Sequence, residues 1–142
     1  LIHQPRYNMF DRWVEDGLLD VLEERGVGCI PFSPLAQGLL TNRYLDGIPK
    51  GSRIDSESIF LGKQHLDPDT MVRVKALNQH AEQRGQTLAQ MALAWILNRK
   101  QVTSVLIGAS SVSQLETNVA TLLNLEFNRD ELAYIDNILV GG

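Results

Sequence analysis

Apolar residues recur along this chain with two spacings, and the alternation between them sets out the elements. Short continuous apolar runs stand at 1–3 (LIH), 27–32 (VGCIPF) and 102–108 (VTSVLIG), bounded by Pro, Gly or small polar residues as buried strands are. Between them the spacing becomes helical. Val14, Leu18, Val21 and Leu22 share one face of a helix expected over 13–25 and closed by Gly26. An Asp-Pro-Asp signal at 67–69 opens a second helix that runs to Gly85. A third starts at Thr87, with Leu88, Met91, Ala92 and Trp95 as its apolar stripe. Val112, Leu115, Val119 and Leu122 lie on one face of a fourth. Asn128 caps the last, whose buried positions are Leu132, Ile135, Ile138 and Leu139.

The order is therefore strand, helix, strand, loop, two helices, strand, two helices. Strands alternating with helices predict parallel βαβ units and an α/β fold. Three strands alone leave two long sheet edges open, so the pattern asks for more strands upstream. The stretch 33–63 has no clear period and is studded with Gly, Pro and Ser. So long an irregular segment in a compact domain reads as a lid or binding loop. No solenoid repeat and no low-complexity tract interrupts the pattern.

Composition narrows the class. The chain has 142 residues, enough for one domain with a sizeable core, and its 44% hydrophobic and 21% charged residues are an ordinary soluble balance. Thirteen Lys and Arg against 17 Asp and Glu give a net charge of −4 without a basic run, which argues against a nucleic-acid partner. No apolar run approaches the ~18 residues of a membrane span, and no signal peptide is visible. Cys29 is the single cysteine, so no disulfide forms within the chain and a reducing, cytoplasmic setting is expected. The first residue is Leu1 rather than Met, which reads as a chain entered in mid-strand.

In βα folds the chemistry collects where strands end and loops begin. Three such junctions exist: Gln4 to Asn8, Phe32 to Gly38, and Gly108 to Asn118. At the third, Gly108 and Ala109 leave the backbone unobstructed, and Ser110 and Ser111 bring hydroxyls to a helix start that favours an anion. Ser111 and Gln114 also fit a Ser-x-x-Gln capping box, which alone explains both residues. Gln114, Thr117 and Asn118 share a helix face, a stripe equally consistent with simple solvation. At the second junction Phe32 is either core or a flat face for stacking a planar ring. Pro34 and Gly38 shape a turn whose N–H groups could line a phosphate. Arg43 and Arg53 in the long loop are either solvated or phosphate partners. Gln4 is a carboxamide suited to another carboxamide, or one satisfied by nearby backbone. His3, His65 and His80 show no metal-ligand spacing, and His80 reads as an exposed helical position. No Gly-x-Ser-x-Gly, paired cysteines or Gly-Lys-Ser/Thr phosphate motif is present.

Taken together, HQPRYNMF, GVGCIPFSPLAQGLLTNRY…GIP…SR, TLAQMALAWIL and VTSVLIGASSVSQLETN resemble the C-terminal part of an aldo-keto reductase. The likeness covers essentially the whole chain and is greatest to the branch of bacterial L-glyceraldehyde-3-phosphate reductases and potassium-channel β-subunits. It implies the last three or so βα units, plus extra helices, of a single (β/α)8 TIM-barrel domain spanning 1–142, with 33–63 as its cofactor-covering loop. It also implies NADPH as cofactor. Gln4 would bond the nicotinamide carboxamide, and Phe32 would stack on the ring where relatives usually carry Trp or Tyr. Ser33, Pro34, Leu35, Gln37 and Gly38 match the pyrophosphate turn. Arg43 and Arg53 match basic contacts, and Gly108, Ser110, Gln114 and Asn118 the segment around the 2′-phosphate and adenine. Thr117 stands where relatives often have Glu.

The implied reaction is hydride transfer to a small aldehyde or ketone. The family's catalytic Tyr, Lys, Asp and His fall upstream of Leu1, so no catalytic residue is expected here and the 142 residues alone are expected to be inactive. The implied partners are a small carbonyl substrate and the N-terminal half of the barrel; a homo-oligomer is compatible with this. A regulatory cofactor-binding channel subunit and an inactive truncated half-barrel are the alternatives.

Overall fold

The computed structural model describes residues 1–46 and 67–140. β1 (Ile2–His3) and β2 (Gly28–Cys29) run parallel, with Ile2 opposite Gly28 and His3 opposite Cys29. The pairing resumes at Arg6 and Phe32 after Pro5, which has no N–H to give to a ladder. On the other side of β2, Val102 bridges Cys29 in the same sense, and Thr103 N and Leu106 N donate to Cys29 O and Pro31 O at 2.9 Å each. The order β1, β2, 102–106 thus follows the sequence, all parallel.

The expected strand 102–108 is a segment bonded on one side rather than a regular strand. Among the described residues its outer edge meets no partner, and Leu106 is exposed. The outer edge of β1 is in the same state, with Leu1 and Ile2 exposed. Both are the open edges that three strands were expected to leave.

The helix expected over 13–25 is divided. A 3₁₀ turn covers Trp13–Glu15, and α1 runs Leu18–Glu24. Gly17 lies between them at φ +85°, a conformation that ends one helix and starts another. Val14, Leu19 and Leu22 are buried, whereas Val21 is on the outer face.

α2 (Pro68–Gln83) starts as its Asp-Pro-Asp signal predicts. The Asp67 side chain accepts from Thr70 N at 2.9 Å, and Pro68 fills the first turn. α3 (Leu88–Leu97) opens on a full capping box between Thr87 and Gln90 and is buried nearly all round, Met91 to Ile96 being inaccessible. α4 (Val112–Val119) and α5 (Arg129–Val140) follow. Asn128 caps α5 as expected, since Asn128 Oδ1 accepts from Glu131 N and Glu131 Oε2 accepts from Asn128 N, each at 2.8 Å.

His80 corrects the expectation of an exposed position. α5 packs over α2, so the imidazole is buried with the Tyr134 ring 5.0 Å away. The stripe expected on the fourth helix differs in the opposite direction: Val112, Leu115 and Val119 of α4, and Leu122 in the 3₁₀ turn Ala120–Leu123 that follows, are all exposed. No described element covers that face.

Candidate functional site

Beyond Phe32 the backbone makes a turn of unusual conformation. Ser33, Ala36 and Gln37 have φ of +53°, +47° and +57°, the positive values among non-glycine residues described, and Gly38 follows at +97°. Each such residue costs on the order of 1–2 kcal/mol relative to an ordinary conformation, so neighbouring bonds must hold the turn. Gly38 N and Leu40 N both donate to Leu35 O, at 3.0 and 3.1 Å, and Thr41 Oγ1 donates to Gly38 O at 2.6 Å. The turn is thus closed on itself, most of its backbone N–H groups being bonded to its own carbonyls.

Facing it is the start of α4. Gln114 N donates to Ser111 Oγ at 3.2 Å, the cap expected from sequence. The return bond differs from a capping box: Gln114 Oε1 accepts from Ser110 N and Ser110 Oγ, both at 2.9 Å, one residue before the cap. The first-turn amides of Val112 and Ser113 have no intrahelical acceptor, so they carry the positive end of the helix dipole. Gln90 Nε2 donates to Thr117 O at 2.8 Å and so ties α4 to α3. Gly108 has open space around it, since a Cβ there would meet nothing within 4 Å.

Between the turn and α4 lies a cleft of about 850 Å³, within the ~300–1,000 Å³ of small-molecule and cofactor sites. Ten of the thirteen expected residues line it: Ser33, Pro34, Leu35, Gln37, Gly38, Arg43, Gly108, Ser110, Gln114 and Asn118. They come from positions up to 85 apart in sequence, Ser33 to Asn118. Gln4 is exposed just past β1, and Phe32 is half-buried with the Arg6 guanidinium 5.8 Å from its ring centre; neither lines the cleft. Arg53 and most of the expected covering loop 33–63 lie outside the described residues.

The structure adds Thr41, Asn42, Thr87, Ala89, Ser113 and Thr117 to the lining. Thr117 shares the helix face of Gln114 and Asn118 noted from the sequence; no local signal distinguished the others, because they reach the cleft only where α3, α4 and the turn after β2 pack beside one another. Among the described lining residues Arg43 carries the one formal charge, the rest being hydroxyl, amide, backbone and small apolar groups. Such a lining suits an elongated polar anion.

No described tyrosine is placed as an acid. Tyr7 is fully buried and donates to Glu15 Oε1 at 2.6 Å. Burial, then the bond to Glu15, push its phenol well above the ordinary value, opposite to the direction a proton donor needs. Tyr44 is buried and Tyr134 packs against His80 with the two rings tilted by 50°. Among the described residues no group of three His, Cys, Asp or Glu could hold a metal.

A family model, that of the aldo/keto reductase family, matches residues 1–140. The chain belongs to the aldo/keto reductase family. It is 53% identical over 146 aligned positions to the L-glyceraldehyde 3-phosphate reductase of Escherichia coli K12, covering all of this chain and 42% of that protein. It is 39% identical over 122 positions to a probable voltage-gated potassium channel subunit beta of Arabidopsis thaliana, covering 84% of this chain and 37% of that one. Among solved structures it superposes on a glycerol dehydrogenase from Gluconobacter oxydans with TM-score 0.79 at 21% identity, over 99% of this chain and 42% of that one. This aldo/keto reductase chain is thus part of a (β/α)8 barrel, and it spans about 42% of the length of the reductase it matches. The parallel order β1, β2, 102–106 is an arc of that barrel. Among the described residues no helix is long and apolar enough to cross a membrane.

Proposed function

We propose that this chain forms the cofactor-holding part of an NADPH-dependent aldo/keto reductase that reduces small aldehydes or ketones. The observation that carries this reading is the cleft joining the strained turn 33–38 to the start of α4, with Arg43 as its charge. The turn 33–38, with Ser33 at its start, would hold the pyrophosphate. Arg43, Ser110 and the α4 N-terminus would hold the adenosine 2′-phosphate, with Gln114 and Asn118 beside the adenine. A glycine at 108, which no contact among the described residues requires, would let the ligand lie against the backbone. Phe32 and Gln4, at the strand ends, would meet the nicotinamide ring and its carboxamide, and Arg53 would add a second cation. The bound dinucleotide supplies hydride to the substrate carbonyl. The proton comes from residues outside 1–142, in accord with the unsuited phenol of Tyr7. Residues 33–63 would cover the cofactor.

A small aldehyde as substrate, a phosphorylated one included, has the support of the 53%-identical relative, whose name specifies a phosphorylated aldehyde. The rest of the barrel is the required partner: it would cover Ile2, Leu106 and the exposed face of α4. Alone, 1–142 would be inactive. A cytoplasmic, reducing setting fits Cys29, whose thiol is buried and pushed up by that burial. The likeness to channel β-subunits supports a second reading, a cofactor-binding regulatory subunit; binding of NADPH without steady turnover of aldehydes would favour it.

The test is the pair of dissociation constants for NADPH and NADH on the full-length protein, with Arg43→Ala alongside. Tighter NADPH binding that Arg43→Ala abolishes supports the reading. Equal affinities for the two cofactors, untouched by the substitution, would sink it.

A further inference from the structure

We propose that Asn8 is a positioning residue, a latch that holds Ser33 in its left-handed conformation and thereby keeps the turn 33–38 in its binding shape. The inference rests on the cofactor reading above for its consequence, though not for its geometry. Asn8 is 3% exposed, and both ends of its carboxamide are used. Its Nδ2 donates to Ser33 O at 3.0 Å, and its Oδ1 accepts from Phe10 N at 2.9 Å. The residue is itself fixed. Asn8 N donates to Asp11 O and Asp11 N returns a bond to Asn8 O, at 3.1 and 3.0 Å, while Tyr7 beside it is anchored on Glu15. One strand-end loop therefore grips the other.

The place of that grip matters. Ser33 is the first of the strained residues, and its carbonyl also accepts from Ala36 N at 3.1 Å. A serine at φ +53° relaxes toward an ordinary conformation unless something external holds its peptide. Strain of this kind persists only where the surroundings over-determine it. Thr41 secures the far end of the turn through Gly38 O, and Asn8 secures the near end. Asn8 itself does not line the cleft, so its effect on a ligand passes through Ser33.

Two substitutions in the full-length protein separate this from a general stabilising role. Asn8→Asp keeps an acceptor for Phe10 N and removes the donor to Ser33 O; Asn8→Ala removes both without adding charge. Each is expected to weaken NADPH binding about tenfold, the scale of one buried hydrogen bond. Ser33→Gly removes the conformational penalty at that position, so in its presence Asn8→Ala should cost no more than about twofold, by the logic of a double-mutant cycle. Ile135→Val, which trims the core at a residue that does not line the cleft, is the stability control and should leave affinity unchanged. Equal losses from Asn8→Ala with and without Ser33→Gly, or no loss at all, would overturn the latch.

Hydrogen exchange of the Gly38, Leu39 and Leu40 amides gives a readout that needs no ligand, since all three are bonded within the turn. Asn8→Ala should speed their exchange while α3 amides stay protected. Unchanged exchange would overturn the proposal even if the cofactor reading stands. If the wild-type protein binds neither NADPH nor NADH, the cofactor reading falls, and the exchange result still decides the latch.

Discussion

Tyr7 donates its phenolic hydrogen to Glu15 at 2.6 Å, and the same carboxylate takes Arg12 Nη2 at 2.7 Å and Arg99 Nη2 at 3.1 Å. Arg12 continues to Asp136 of α5 at 2.7 Å, and both guanidiniums lie 5.1 Å from the Trp95 ring centre. Glu15 thus joins the loop after β1 to the end of α3, and Arg12 extends the network to α5. Tyr7→Phe keeps the ring packing on Trp95 and removes only the bond to Glu15. We expect a loss of about 1.5–3 kcal/mol, the range for a hydrogen bond to a charged group, read from urea unfolding of the full-length protein. An unchanged midpoint would show that the bond adds nothing.

Glu15 should also make stability depend on pH. Its burial by itself raises the carboxyl's pKa, but the hydrogen bonds from Arg12 and Tyr7 and the charges of Arg99 and Arg12 outweigh it, and the net direction is down. A group depressed on folding gives its full stabilisation above its unfolded pKa, ~4.3 for Glu, and loses it as pH falls through the folded value. Wild-type unfolding midpoints should therefore decline below about pH 4.3, and Glu15→Gln should flatten part of that decline. Parallel curves for the two proteins would rule Glu15 out as a contributor.

Arg84 is a second anchor, its side chain 5% exposed. Its guanidinium lies 3.8 Å from the centre of the Phe127 ring, and it pairs with Glu131 while donating to Gln86 Oε1 and Glu126 O at 2.9 Å each. Lysine retains the charge but not the planar fork. Arg84→Lys is expected to cost about 2 kcal/mol, since at least two hydrogen bonds of the planar fork are lost. Thermal unfolding of the full-length protein measures it, and a shift within error would contradict the geometry.

Gln114 allows a charge test of the proposed phosphate position. Its Oε1 organises Ser110 through two bonds of 2.9 Å. Gln114→Glu preserves those acceptors and adds a negative charge at the same place. If the 2′-phosphate sits beside Ser110, NADPH affinity should fall by at least about tenfold, with NADH affected less, as repulsion replaces the favourable end of the helix. Affinity equal to wild type would move the phosphate elsewhere.

The exposed α4 face gives opposite expectations for the piece and the whole. In the isolated 1–142 polypeptide, Val119→Lys with Leu122→Lys should reduce self-association in light scattering, because an exposed apolar stripe favours aggregation. In the full-length protein the same pair should lower stability by about 2 kcal/mol or more, the value of burying two such side chains. Tolerance in both settings would mean that this face meets solvent in the whole protein.

Much of this was legible from the order of residues. Helix starts were readable at Asp67, Thr87, Ser111 and Asn128, because a cap is a contact over two or three residues and both partners lie within the same short stretch. The parallel βα order was readable because strand and helix periods differ. The break at Gly17 was written locally too, yet period alone passes over a left-handed residue whose neighbours keep apolar spacing.

What only the tertiary structure decided is wherever partners are far apart in sequence. His80 is buried because α5 returns over α2 from some fifty positions on, and no pattern within α2 contains that. Thr41, Thr87 and Ser113 reach the cleft because α3 and α4 pack beside the turn after β2. The grip of Asn8 on Ser33 crosses 25 residues, and the positive φ that gives it meaning is invisible in a serine's name. The sequence by itself determined most of the elements, since propensity, capping and period act locally, and its family resemblance singled out ten of the residues that line the cleft. Their burial, their pairing and the strained conformation of the turn depend on contacts between segments, and those exist only once the chain is folded.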